Sequence, residues 1–214
     1  MKYNYLFFDL DGTLTDSRLG ITNSIVYALK KMNLPIPEDS VLIKFLGPPL
    51  VESFQNYCGL QEKAALEAVD IYREYFSTKG LYENEVYPGI REILEELKAK
   101  GYGLVVATSK PEQFSVRILE HFQLDVYFQL IAGSSMDTSR NSKESVIRYA
   151  IEQLGVTNPG DVLMIGDREH DVLGAKACKI SCIGALWGYG SREELLEAGA
   201  VSLISRPEEL TALL

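Results

Sequence analysis

The sequence predicts an α/β fold: a doubly wound parallel-sheet core that carries an inserted, all-helical second unit. Three observations lead there. Short, unbroken apolar runs recur at Tyr5–Phe8, Leu104–Ala107, Leu130–Ala132, Val162–Ile165, Cys182–Leu186 and Val201–Ile204. Unbroken rather than alternating hydrophobicity marks strands covered on both faces. From Tyr87 onward these runs alternate with stretches of helical period, the pattern of repeated βα units. The stretch from about Arg18 to Glu85 breaks that rhythm, with helical patterns and almost no strand-like run. The expected division is therefore a core of residues 1–16 and 86–214, interrupted after its first strand by a helical insertion over 17–85.

Taken in order, Tyr5–Phe8 forms the first strand and stops at Asp9. In the insertion, Ile21, Ile25, Ala28, Leu29 and Met32 share one helical face, and Pro35 and Pro37 separate that helix from the next. Gly47-Pro48-Pro49 interrupts a later helix. Leu66, Val69, Tyr72, Arg73 and Phe76 make another stripe, its arginine snorkelling to water. In the core, Ile90, Ile93, Leu94 and Leu97 line a helix that ends in Lys100-Gly101, a basic last turn followed by a stop. Val146, Ile147, Ala150, Ile151 and Leu154 line a second, ended by Gly155.

At 214 residues the chain can form one large domain or a core with an insertion, and its 46% apolar content supplies a sizeable interior. A formal net charge of −9 argues against a nucleic-acid polymer or an anionic membrane as the main partner. It leaves room for a small anionic substrate held by a few local cations. Cys58, Cys178 and Cys182 are widely spaced with no CxxC pattern, and read as small buried hydrophobes in a reducing compartment. The first apolar run is too short for a signal segment or a membrane span, so a cytoplasmic protein is expected, as a monomer or weak homodimer.

The segment FFDLDGTLTDS, Phe7 to Ser17, crowds Asp9, Asp11 and Asp16 behind the first strand. Like charges at that spacing need solvent or a cation to tolerate them. In open α/β sheets ligands collect at the carboxyl ends of strands. Asp9-Leu10-Asp11-Gly12-Thr13 follows the first run, Thr108-Ser109-Lys110 the second, and Gly166-Asp167 the fourth, with Asp171 at the start of the next helix. Lys143 stands near the start of the helix after the third run. Each type has a task if the ligand is a phosphate with a divalent cation. Asp9, Asp167 and Asp171 offer the hard oxygens that suit Mg²⁺. Gly12 permits a tight turn whose amides face an oxyanion, and Thr108 and Lys143 can donate to phosphate oxygens as charge develops.

These stations, in this order and at these strand ends, resemble the haloacid dehalogenase superfamily of phosphohydrolases, and the likeness covers essentially the whole chain. Within it the chain is most similar to the phosphoglycolate phosphatase-like group. Two features, Phe45 to Leu50 and Gly166 to Asp171 followed by Trp187 to Ser191, look like the branch described as 5'-nucleotidase-like. The resemblance implies a two-step phosphoryl transfer to water. Asp9 would be the nucleophile, and Asp11 the general acid and later base. Mg²⁺ would be held by the Asp9 carboxylate, the Asp11 backbone carbonyl and Asp167, with Asp171 in support. Thr108, Ser109, Lys143 and the amides up to Gly12 would bind the phosphoryl group. The family's lysine is often followed by proline where Glu144 stands here, and Arg140 is an alternative cation nearby. The helical insertion matches the family's cap, which closes over the site, and Lys44, Gly47 and Pro48 are the candidate substrate selectors. The expected substrate is a small phosphorylated metabolite, either phosphoglycolate-like or a nucleoside monophosphate.

Two other functions fit parts of this pattern. A sugar phosphomutase would pass the phosphoryl group to a second hydroxyl, although Thr13-Leu14 after Gly12 favours the hydrolase pattern. A signalling receiver would accept phosphate on an aspartate without turnover, but has no need of Asp11 two residues beyond the nucleophile. Elsewhere the plain readings suffice. Asp16 and Asp39 are turn or helix-start residues; Glu92, Glu95 and Glu96 form a solvated face; His170 has a minor role and His121 none. Trp187 and Tyr189 either stack on a base or sugar or pack a loop.

Overall fold

The computed structural model describes residues 3–137 and 139–214. The chain divides into two compact units, Met1–Thr15 with Val86–Leu214, and Asp16–Glu85.

The first unit is built on a six-stranded, wholly parallel sheet: β1 (Tyr5–Phe8), β4 (Gly103–Pro111), β5 (Leu130–Ser134), β6 (Val162–Gly166), β7 (Ser181–Ala185) and β8 (Ser202–Ile204), in spatial order β5-β4-β1-β6-β7-β8. Every run of the sequence analysis corresponds to one of these strands. The unbroken hydrophobicity has the expected cause. Leu6, Phe7 and Phe8 are buried on both sides of β1, as are Leu104 to Ala107 in β4 and Val162 to Ile165 in β6. One face packs against α7 (Lys143–Gln153), α8 (Glu169–Ala177) and α9 (Arg192–Ala198), through Phe7, Val105, Met164, Val146, Val172 and Leu195. Helices α5 (Ile90–Ala99) and α6 (Glu112–His121) pack on the β4 and β5 side, burying Ile90, Ile93, Leu94 and Leu97 as the stripe predicts.

The topology decides where chemistry collects. The sequence enters at β1 in the middle of the sheet, steps to β4 on one side, and later to β6 on the other. The order therefore reverses around β1, and the carboxyl ends of β1, β4 and β6 border one crevice. In β4 the pairing with β5 shifts register between Ala107 and Pro111, which loosens the strand where Thr108, Ser109 and Lys110 lie.

The second unit is helical: α1 (Arg18–Lys31), α2 (Asp39–Leu42), α3 (Leu50–Cys58) and α4 (Glu62–Tyr75), followed by a five-residue π-helical turn, Phe76–Gly80. Ile21, Ile25, Ala28 and Leu29 of α1 are buried as predicted. Ring contacts of Phe45 with Phe54 and of Tyr72 with Phe76 fill the interior. The stripe expected on α4 holds at Val69, Tyr72 and Phe76, which are buried, but not at its start: Leu66 is 50% exposed, while Ala65 and Ala68 are fully buried. Helix α4 packs against both α1 and α3, and the small alanines let the helices approach where leucine would not fit. Two short strands lie at the ends of this unit, β2 (Thr15–Asp16) and β3 (Glu85–Val86), and pair with each other. The unit also contains a cleft of about 690 Å³, lined in part by Arg18, Asn23, Ile43, Tyr82, Glu83 and Asn84.

Candidate active site

Asp9 follows β1 directly, and its backbone N–H still donates to the Ile165 carbonyl of β6 at 2.9 Å, so the strand pairing sets its position. The side chain is held by what comes next: Leu10 N–H donates to Asp9 Oδ1 at 2.7 Å, and Lys143 Nζ lies 2.8 Å from the same oxygen. The chain then turns back through Gly12, at φ +84°. Glycine is required there twice. The conformation is left-handed, and a Cβ would lie 2.2 Å from Asp167 Oδ2.

Lys143 opens α7 behind a Ser142 N-cap, whose hydroxyl accepts from Ser145 N–H while the Ser145 hydroxyl accepts from Ser142 N–H. Its side chain is only 5% exposed and reaches across to Asp9, to Asp171 Oδ1 at 2.7 Å as an ion pair, and to the Ala107 carbonyl at 3.1 Å. Burial opposes charge on this lysine, yet Asp171 and Asp9 raise its pKa above the ordinary lysine range. Arg140, the alternative cation, is committed elsewhere: it pairs with Glu112 at 2.7 Å, donates to the Gly133 carbonyl and lies over the Tyr149 ring.

Asp167, at the end of β6, is fully buried. Thr13 Oγ1 donates to its Oδ1 at 3.0 Å and Tyr189 N–H to its Oδ2 at 2.8 Å. Asp171 in the first turn of α8 accepts from Arg168 N–H through Oδ2 at 3.0 Å. Ligand oxygens of Asp9, Asp167 and Asp171 all lie within 4.8 Å of one another. Burial, then Asp171 and Asp9, push the Asp167 carboxyl well above the ordinary 3.8. Burial and Asp171 also raise Asp9, against the opposing pull of Lys143 and the Thr108 hydroxyl. Ionised together, the three buried carboxylates beside one ammonium would be two negative charges out of balance. A divalent cation that prefers hard oxygen ligands answers that deficit, so the donor set fits the Mg²⁺ expected from sequence.

Asp11 stands apart from that cluster and has its own cation. Lys110 Nζ lies 2.6 Å from Asp11 Oδ2, with the lysine side chain 6% exposed. Thr108 is buried beside it, and its hydroxyl accepts from Lys110 N–H at 3.2 Å, while Ser109 is half-buried on the same strand end.

The expected stations thus sit on one rim of one unit. Lys44, Gly47 and Pro48 lie in the helical unit, on the segment between α2 and α3; Lys44 and Gly47 are exposed and Pro48 half-buried. They do not line the cleft of that unit, and the flanking Phe45 and Leu46 are core residues.

Sequence reasoning missed three contributors. It named Lys110 without a role. It did not foresee that Tyr189 acts through its backbone N–H, nor that Gly188 makes room for the cluster: a Cβ there would lie 2.3 Å from both Asp167 Cβ and the Gly12 carbonyl oxygen. The glycine spacing around Tyr189 was the available signal. Trp187 is a strut of that loop, with Nε1 donating to the Thr13 carbonyl at 3.0 Å.

Comparison with known proteins decides the family. A model described as haloacid dehalogenase-like hydrolase matches residues 6–185. The chain belongs to that family. A relative named 5'-nucleotidase, from Pseudomonas aeruginosa, is 46% identical over 91% of this chain and 88% of its own. One named tyrosine-protein kinase PtkA, from Mycobacterium tuberculosis, is 41% identical over 92% of this chain and 67% of its own. One named phosphoglycolate phosphatase, from Aquifex aeolicus, is 29% identical over 98% and 95%. A crystal structure described as a "predicted phosphatase" from Clostridium acetobutylicum superposes with a TM-score of 0.94 at 50% identity, covering 100% of this chain and 98% of that one. The chain is therefore a phosphatase of the haloacid dehalogenase-like family, with that family's parallel-sheet core. Among the described residues, no helix is long and apolar enough to cross a membrane.

Proposed function

We propose that the protein is a Mg²⁺-dependent phosphomonoesterase that hydrolyses a small phosphorylated metabolite through a phosphoryl group carried on Asp9. One observation carries this reading. Asp9 and Asp11 leave the same strand end, yet each meets a different buried lysine, which supports separate tasks for the two carboxylates.

Lys143 and Leu10 N–H orient Asp9 for attack on phosphorus. The Asp9–phosphorus bond forms as the bond to the leaving oxygen breaks, and Asp11 supplies that oxygen with a proton. Water then attacks phosphorus, gives its proton to Asp11, and releases phosphate and Asp9. Thr108, Ser109 and Lys143, with the amides up to Gly12, bind the phosphoryl oxygens. Asp9, Asp167 and the Asp11 backbone carbonyl would hold Mg²⁺, with Asp171 bracing Lys143. When bound, the ion supplies compensation for the charge on the phosphoryl group and on the carboxylates.

Residues 17–85 are assigned as the cap and the rest of the chain as the catalytic core. Substrate selection belongs to the cap, whose cleft of about 690 Å³ has the size of a small-molecule site. Phosphoglycolate is the leading substrate class and a nucleoside 5'-monophosphate the second. The relative named 5'-nucleotidase, at 46% identity, favours the second. Free thiols at Cys58, Cys178 and Cys182 support a reducing, cytoplasmic setting.

The test is phosphate release from phosphoglycolate, nucleoside monophosphates and sugar phosphates, with Mg²⁺ or EDTA, for the natural protein and Asp9→Asn. Metal-dependent release that the variant lacks is expected. Release unaffected by Asp9→Asn would remove Asp9 as nucleophile, and isomerisation without phosphate release would make the enzyme a mutase.

A further inference from the structure

The Asp11–Lys110 pair sits apart from the carboxylates that fit the metal. Lys110 Nζ lies 2.6 Å from Asp11 Oδ2, and the two side chains are 6% and 19% exposed. The other oxygen, Asp11 Oδ1, is buried and has no hydrogen-bond partner among the described residues. The lysine comes from the stretch of β4 where pairing with β5 slips, between Ala107 and Pro111, and its own N–H donates to the Thr108 hydroxyl at 3.2 Å. The strand irregularity therefore places the phosphate-binding hydroxyl and the Asp11 partner in one local structure.

From this arrangement we propose that Lys110 is a positioning residue for proton transfer. By engaging Oδ2 it fixes the Asp11 carboxyl group and leaves Oδ1 as the oxygen that exchanges the proton. The proposal rests on the acid role assigned to Asp11 above. As the phosphorus–oxygen bond to the leaving group breaks, the proton passes from Asp11 Oδ1 to that oxygen, and negative charge appears on the carboxylate beside the lysine ammonium. An interaction that strengthens as the reaction proceeds accelerates it, whereas one that is equally strong throughout does not. The benefit is greatest for substrates whose leaving oxygen most needs the proton, such as alkyl and phenyl esters. It is least for p-nitrophenyl phosphate, whose leaving group departs as a stable anion.

The experiment measures kcat/KM, which reads the steps up to departure of the leaving group, with saturating Mg²⁺. The substrates are p-nitrophenyl phosphate, phenyl phosphate and glycerol phosphate. The proteins are the natural enzyme, Lys110→Met, Lys110→Gln, Lys110→Arg and Asp11→Asn, each with its melting temperature recorded. Lys110→Met is expected to lose roughly tenfold more on phenyl and glycerol phosphate than on p-nitrophenyl phosphate, a part of the roughly 10²–10⁴-fold that general acids supply. Asp11→Asn should show the same ranking, and Lys110→Arg should recover part of the difference. Should Lys110→Met fail to fold, the ratio between Lys110→Gln and Lys110→Arg reads the same quantity. An equal loss on all three substrates, or a rise in KM alone, would overturn the positioning role and leave Lys110 as a binding or structural residue. If Asp11→Asn itself fails to discriminate among leaving groups, the acid role of Asp11 falls and the proposal with it, an outcome separable from failure of Lys110 alone.

Discussion

Replacing Gly188 by alanine tests whether the loop after β7 is part of the acid cluster. The added methyl carbon would stand 2.3 Å from Asp167 Cβ, 2.5 Å from Asp167 Cγ and 2.3 Å from the Gly12 carbonyl oxygen, where ordinary contact begins at 3.4 Å. Neither a backbone oxygen nor the first carbon of a side chain can swing away by changing rotamer, so the loop and the Asp9–Gly12 turn must separate by about 1 Å. Asp167 is tied to both sides, to Tyr189 N–H in the loop and to Thr13 beyond the turn. A misplacement of about 1 Å at a reacting centre costs about 10²-fold in rate, and overpacking of this kind costs about 1–3 kcal/mol of stability. The control is Gly155→Ala. Gly155 has φ +63° and nothing within 4 Å of an added Cβ, so alanine there meets left-handed backbone strain of about 1–2 kcal/mol and no steric clash. The two variants should be destabilised alike, and only Gly188→Ala should lose turnover of p-nitrophenyl phosphate and weaken the Mg²⁺ activation midpoint. Turnover within about threefold of the natural protein would refute the reasoning, as would an equal loss in Gly155→Ala.

Lys143→Met removes the one cation paired with both Asp9 and Asp171. In EDTA it should lower stability by about 3–5 kcal/mol, read from the denaturant midpoint, and an unchanged midpoint would show that the pair is not buried in solution. The Asp167 carboxyl is raised well above 3.8 by burial and by its acidic neighbours. The folded state thus holds that proton more tightly than the unfolded chain. Its contribution is full below about 3.8 and is lost as pH rises through the folded value. Mg²⁺ needs the ionised form, so the gain in melting temperature on adding Mg²⁺ should grow as pH rises from about 3.8 through the folded value and level off beyond it; a gain that does not change with pH would contradict it. Substitution of Lys44, or of Gly47 and Pro48, should change the ranking of substrates while hydrolysis of p-nitrophenyl phosphate stays within about threefold of the natural protein, the scale of a surface change. Equal losses on every substrate would dismiss them as selectors.

Strand positions were legible because double burial leaves an unambiguous trace: no polar residue interrupts Leu104 to Ala107 or Val162 to Ile165. Strands β2 and β3, of two residues each, carry no periodicity and could not be read. The exposure of Leu66 on α4 escaped for another reason. Leu66 and Ala65 differ by one position, and what decides between them is the closeness of α1 and α3, a tertiary fact. Asp9, Asp167 and Asp171 were legible because strand ends are where a doubly wound sheet gathers ligands. The Asp11–Lys110 pair spans 99 positions and depends on a register slip in β4 that nothing in the residue types announces. Tyr189 acts through a backbone N–H, so its side chain carried no signal.

The charges of the site form two groups, and the division bears on the proposal that one strand end supplies both a nucleophile and an acid. Asp11 and Lys110 balance each other at 2.6 Å. In the cluster of Asp9, Asp167 and Asp171, Lys143 pairs with Asp9 and Asp171, while Asp167 accepts from the Thr13 hydroxyl and Tyr189 N–H. With Lys110 elsewhere, the second group, once ionised, carries an excess of two negative charges in a buried setting, which a hard divalent cation offsets. A chain in which Lys110 instead reached Asp9 would weaken metal binding and leave Asp11 unfixed at the same time. On the proposed reading, two lysines on different elements, one from the irregular end of β4 and one from a capped helix, hold carboxylates two residues apart in separate settings suited to opposite chemistry.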